Sequence, residues 1–166
     1  MSEGIKLLIV DDEARFLETL SKRLSRRDFV VTPVNNGPDA IRVAREQPFD
    51  LALLDLKMPG MSGEEVLEAL KAEHPDIEVI ILTGHGSIDS AVKLTQAGSY
   101  SYLQKPCETE ELLGVLKNAY QRRVQSRFRI DEDKMSALLE SATRESPLAI
   151  LRKLRELEDA GGEKPS

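Results

Sequence analysis

Leu51-Ala52-Leu53-Leu54-Asp55-Leu56-Lys57-Met58-Pro59-Gly60 is a short apolar run that ends on an acid and breaks into a turn. Such a run fits a parallel strand buried on both faces. Two further runs end on charge: Leu7-Leu8-Ile9-Val10 leads into Asp11 and Asp12, and Tyr102-Leu103-Gln104 leads into Lys105. In an open α/β sheet the carboxyl ends of the strands converge on one crevice where ligands bind. Three acids and one lysine are therefore expected to meet in space. Two carboxylates ~4 Å apart repel by about 4 kcal/mol at an effective dielectric near 20, so the cluster calls for a cation or a raised pKa. A hard divalent ion together with Lys105 meets that need.

Working outward, strand-like runs at 5–10, 29–34, 50–55, 77–82 and 100–104 alternate with helical patterns near 13–26, 37–46, 62–73, 86–97 and 108–124. This spacing predicts βαβ units and a doubly wound α/β fold around a parallel sheet. The breakers Asn35-Asn36-Gly37, Pro59-Gly60, His74-Pro75-Asp76 and Ala97-Gly98 fall between elements. After about residue 124 the alternation stops. Met135, Leu138, Leu139 and Ala142 then recur at helical spacing, and Ser146-Pro147 reads as N-cap and first helical position before Leu148, Leu151, Leu154 and Leu157. The expected organisation is a domain over 1–124 and a helical extension over 125–166, disordered at its end.

Of the 166 residues 40% are hydrophobic and 31% charged, which suits one ordinary globular domain with some chain to spare. No apolar stretch approaches 18 residues and Met1-Ser2-Glu3-Gly4 runs straight into the first strand, so a cytoplasmic protein without membrane contact is expected. The single cysteine, Cys107, excludes an internal disulfide and a cysteine-built metal site. Residues 1–121 carry a net charge of −7 and residues 122–166 a net charge of +1. An acidic body argues against nucleic-acid binding there, since phosphate contacts need clustered cations.

Val10-Asp11-Asp12-Glu13, Leu54-Asp55-Leu56-Lys57-Met58-Pro59-Gly60-Met61-Ser62-Gly63, Leu82-Thr83-Gly84 and Lys105-Pro106, in this order and each at the end of an apolar run, resemble the receiver domain of bacterial two-component response regulators. The resemblance covers residues 5 to about 121. It implies a five-stranded flavodoxin-like sheet of order 2-1-3-4-5 and a phosphoacceptor at Asp55, a carboxylate acting as nucleophile. It also implies Mg²⁺ held by Asp12, by Asp11 partly through water, by Asp55 and by the backbone carbonyl of Lys57. Glu13 is read as the start of the first helix, where a negative charge is favourable. Lys105 would pair with Asp55 before phosphorylation and with a phosphate oxygen afterwards, followed by a Lys105-Pro106 bond that the family often holds in the cis form. Thr83 and Tyr102 match its switch pair: the Thr83 hydroxyl moves to the phosphate, Tyr102 fills the vacated space, and the face of the fourth helix, fifth strand and fifth helix changes. Glu64 or Met58 would tune the rate of self-dephosphorylation. His74 and His85 are assigned no phosphohistidine role.

The implied function is a signalling switch rather than an enzyme, with a sensor histidine kinase or phosphotransfer protein as donor, an output protein as partner, and a homodimer as one further possibility. Thr83-Gly84-His85-Gly86-Ser87-Ile88-Asp89-Ser90-Ala91-Val92 looks like receivers that precede nitrogen-control-type regulators, so the chain is either a stand-alone receiver or part of something longer. A DNA-binding regulator acting through the C-terminal helices is the alternative, given Arg122, Arg123, Arg127 and Arg129 and a helix-turn-helix spacing. The apolar Leu148-Ala149-Ile150 stands where base-reading residues would be wanted. The arginines read more simply as the solvated end of the fifth helix, and the tail's apolar faces as packing together, docking on the receiver or mediating a dimer. An aspartate-nucleophile phosphatase is disfavoured, because Lys57 stands where its second acid would be.

Overall fold

A computed structural model describes residues 4–84, 88–128, 140 and 146–162. Strands β1 (Ile5–Val10), β2 (Phe29–Val34), β3 (Leu51–Leu54), β4 (Glu78–Thr83) and β5 (Ser101–Gln104) alternate with helices α1 (Ala14–Ser25), α2 (Gly37–Glu46), α3 (Gly63–Glu73), α4 (Ile88–Gln96) and α5 (Thr109–Phe128). A last helix, α6, spans Pro147–Gly162. The strands form one parallel sheet of order β2-β1-β3-β4-β5, as the alternation and the resemblance predict.

Successive strand residues point to opposite faces, and the two faces have separate cores. Leu7, Ile9, Leu51, Leu53, Ile80 and Leu82 pack beneath α1 and α5. Leu8, Val10, Ala52, Leu54, Val79 and Ile81 pack beneath α2, α3 and the α4 residue Leu94. Both faces of β3 are therefore covered, which is why Leu51–Leu54 is apolar at every position. Two helix starts are capped by side chains: Asn36 Oδ1 accepts the Asp39 N–H at 2.8 Å, and Ser62 Oγ accepts the Glu65 N–H at 3.2 Å. Gly63 opens α3 where a Cβ would lie 3.1 Å from the Leu56 carbonyl oxygen, so a side chain here would press the helix away from the loop after Asp55 by a few tenths of an ångström.

Past residue 124 the helical extension takes one of its expected arrangements, docking on the receiver. Helix α5 continues to Phe128, and α6 docks on it. Ser146 caps α6, its Oγ accepting the Ala149 N–H at 3.2 Å. Leu151 and Leu154 are fully buried in the α1/α5 core. Arg123, read from sequence as solvated, is buried instead: it pairs with Asp50 at 3.1 Å and with Glu158 of α6 at 3.6 Å, while Arg127 reaches Glu158 at 3.0 Å. A buried guanidinium needs such partners, since an isolated buried charge is costly. The expected first tail helix, with Leu138 and Leu139, lies outside the described residues, as do Arg129 and His85.

Leu154→Ala should weaken α6 docking by about 2–5 kcal/mol, the usual cost of emptying a buried leucine site. Hydrogen exchange would show this as faster exchange in α6 with β1, β3 and β4 unchanged. Equal protection of α6 in variant and wild type would contradict the packing described.

Candidate functional site

The sheet register assembles the site. Val10 of β1 lies opposite Leu54 of β3, so Asp11 and Asp55 leave neighbouring strands at the same level. The Asp55 N–H donates to the Val10 carbonyl at 2.9 Å and the Asp11 N–H to the Val34 carbonyl at 3.1 Å. Thr83 pairs with Gln104, and the Lys105 N–H donates to the Thr83 carbonyl at 2.9 Å. Backbone pairing therefore carries all four groups to one end of the sheet.

Asp11, Asp12 and Asp55 each offer an oxygen there, and these oxygens lie within 4.8 Å of one another. Asp11 and Asp55 are buried at 2% exposure, while Asp12 faces solvent. Burial raises the pKa of Asp11, against the opposing Lys105 hydrogen bond and the Glu13 backbone N–H, which donates to Asp11 Oδ1 at 2.9 Å. Asp55 Oδ1 is sealed from solvent and has no hydrogen-bond partner among the described residues. Hard oxygen donors around one point, one of them a buried unpaired carboxylate oxygen, fit a small divalent cation.

Lys105 corrects one expectation. Its ammonium does not pair with Asp55: it donates to Asp11 Oδ2 at 2.6 Å, lies 3.4 Å from Glu13 Oε1, and sits 4.0 Å from the centre of the Phe16 ring. Asp11 takes the hydrogen bond, and Asp55 acts on the ammonium through its charge. Burial acts to lower the Lys105 pKa, but the Asp11 hydrogen bond and the charges of Asp11, Asp55 and Glu13 outweigh it, so the pKa is raised and the ammonium kept. Glu13 is the N-cap of α1, as expected of the residue opening that helix. The Lys105-Pro106 peptide is cis.

Thr83 is fully buried at the end of β4. Tyr102 is half-buried against the α2/α3 core, and its hydroxyl is enclosed without a hydrogen-bond partner among the described residues. The Lys57 side chain is exposed, in the loop that lines an open pocket with Asp12, Met58 and Pro59. His74 has a structural place: its Nε2 lies 2.7 Å from the Ala44 carbonyl oxygen and its ring meets Phe49 edge-on. Cys107 is half-buried just before α5. Sequence reasoning missed Phe16, although its position three residues after Glu13 on α1 was a usable signal.

A family model for the response regulator receiver domain matches residues 7–117. The chain belongs to this family. The regulatory protein LuxO of Vibrio vulnificus is 40% identical over 114 residues, which make up 69% of this chain and 25% of that protein. The alginate biosynthesis transcriptional regulatory protein AlgB of Pseudomonas aeruginosa is 32% identical over 155 residues, 92% of this chain and 34% of that protein. The receiver therefore spans about a quarter to a third of these relatives. A response regulator from Burkholderia pseudomallei, solved with a phosphorylated aspartic acid, a calcium ion and citrate, is 27% identical with a TM-score of 0.66 over 93% of this chain and 97% of that one. No helix among the described residues is long and apolar enough to cross a membrane.

Titration of Mg²⁺ against single variants should give at least a tenfold loss of affinity for Asp12→Ala and Asp55→Ala, because both remove an oxygen donor of the cluster. Glu13→Ala should lose less, since Glu13 lies outside the three-acid cluster. An equal or larger loss for Glu13→Ala would overturn the donor assignment.

Proposed function

We propose that this receiver is a phosphorylation-controlled switch in a cytoplasmic two-component pathway, with Asp55 as acceptor. The observation that carries this is the convergence of Asp11, Asp12 and Asp55 within 4.8 Å, with Lys105 beside them. An oxygen of Asp55 attacks the phosphorus of a phosphohistidine on a sensor kinase or phosphotransfer protein. The P–N bond breaks, its electron pair leaves with the imidazole, and an acyl phosphate remains on Asp55. Asp11, Asp12, Asp55 and the Lys57 carbonyl would hold Mg²⁺, which would supply neutralising charge for the phosphoryl oxygens. Lys105 supplies a second positive charge to the same group.

The added −1.5 to −2 charges, roughly, create strong acceptors beside Thr83. The Thr83 hydroxyl then donates to the phosphate and Tyr102, whose hydroxyl is enclosed without a hydrogen-bond partner among the described residues, reorients. The α4–β5–α5 face changes and an output protein reads it. A shift of this kind needs only a few kcal/mol of differential interaction. The chain acts as an acceptor protein rather than an enzyme, and water at Asp55 slowly resets it.

The second reading is a receiver unit of a longer transcriptional regulator, favoured by the fraction of LuxO and AlgB that it spans. Direct DNA reading by α6 is disfavoured, because Leu151 and Leu154 are spent on α5 packing and Arg152 pairs with Asp28.

Acetyl phosphate with Mg²⁺ should label wild-type protein, and chelation of the metal or Asp55→Asn should abolish the label. Wild-type labelling of Asp55→Asn would sink the assignment.

A further inference from the structure

We propose that Phe16 is the positioning residue for Lys105, holding its ammonium on the Asp11 side of the crevice and away from Asp55. The proposal rests on the reading of the crevice as a cation-dependent phosphoacceptor site, and it adds a residue that neither the three-acid cluster nor the family motif includes.

Among the described residues, the ammonium of Lys105 meets Asp11 at 2.6 Å, Glu13 at 3.4 Å and the Phe16 ring at 4.0 Å from its centre. Glu13 and Phe16 are three residues apart at the start of α1, so both stand on one helix face. The acid attracts the ammonium, and the negative face of the ring receives it from the side. Phe16 also packs on the α1/α5 core, and it lines a pocket with Leu20, Leu82, Pro106 and Leu112 that carries the Lys105 stem. The ring is thus fixed by packing while its face meets the charge. Asp55, by contrast, keeps one buried oxygen with no partner among the described residues.

This arrangement has a consequence for cation binding. Asp11 is shared between the ammonium and any cation taken up by the three acids, so whatever holds Lys105 on Asp11 opposes that cation. A ring that favours the ammonium at this spot lowers divalent-cation affinity without contacting the cation. Loss of the ring face should therefore strengthen Mg²⁺ binding by about three- to tenfold, the range of a partly desolvated cation–π contact.

The test is a double-mutant cycle on the full chain, read as Mg²⁺ affinity by direct titration. Phe16→Leu keeps apolar bulk and removes the ring; Phe16→Met is a second replacement of the same kind, and Phe16→Tyr keeps the ring face. Lys105→Met removes the ammonium and keeps the stem. The expected result is a three- to tenfold gain in affinity for Phe16→Leu and Phe16→Met, with Phe16→Tyr within about twofold of wild type. In the Lys105→Met background, Phe16→Leu should change affinity by less than about twofold. An unchanged affinity in both ring-less variants, or the same change with and without Lys105, overturns the proposal, because a ring that merely supports the fold would act regardless of the ammonium. Failure of wild type to bind Mg²⁺ at all would remove both this inference and the functional reading. Normal Asp55 labelling with no coupling in the cycle would remove this inference alone.

Discussion

Backbone pairing of β1 with β3 places two buried carboxylates side by side, and most of the molecule answers that constraint. With Val10 opposite Leu54, Asp11 and Asp55 cannot separate without breaking the sheet. At the 4.8 Å limit of the cluster, a pair of full charges repels by about 3 kcal/mol at an effective dielectric near 20. Lys105, delivered by β5, relieves part of this by bonding to Asp11, and burial raises the Asp11 pKa against that help. Asp55 Oδ1 stays buried without a hydrogen-bond partner among the described residues. Three acids with one ammonium among them, and one buried carboxylate oxygen without a partner among the described residues, suit a cation.

The opposite end of the sheet solves a similar problem differently. Asp50 and Asp55 bracket β3, roughly 16 Å apart for an extended strand. Asp50 is neutralised within the fold: Arg123 pairs with it, the Lys6 N–H donates to it at 2.9 Å, and Glu158 of α6 closes the network. A buried ionic network of this sort adds little net stability over an apolar substitute, yet leaving out one member is expensive. Leu151 and Leu154 supply buried apolar contact for α6 docking, and Glu158 links the helix to Arg123 and Arg127 of α5. One strand thus joins an end where Asp50 has an ion-pair partner within the fold to an end where Asp55 Oδ1 has no hydrogen-bond partner among the described residues.

Much of this was legible in the sequence because it depends on patterns of two kinds. Continuous apolar runs such as Leu51–Leu54 report burial on both faces, and acids at the ends of those runs report convergence at one edge of a parallel sheet. Asp11, Asp12, Asp55, Thr83 and Lys105 follow from these patterns together with the family motif. Side-chain choices between near-equivalent partners were not legible. Lys105 had Asp11 and Asp55 both within reach of its flexible stem, and only the fixed ring of Phe16 and the start of α1 show which it takes. Arg123 looked like its exposed neighbours Arg122 and Arg127, since nothing local marks the one residue of a basic cluster that faces a distant Asp50. The docking of α6 was one of three options for its apolar stripe, because a stripe records that a face is buried and not against what.

The account stands on Asp55 being the group that carries the phosphoryl. Hydride reduction of the acyl phosphate, after labelling with a small phosphodonor and Mg²⁺, converts the modified aspartate to homoserine, which peptide mass spectrometry locates. The account predicts homoserine at position 55 and nowhere else. Homoserine at Asp11 or Asp12, or an unmodified Asp55 in protein that has taken up phosphate, would contradict it.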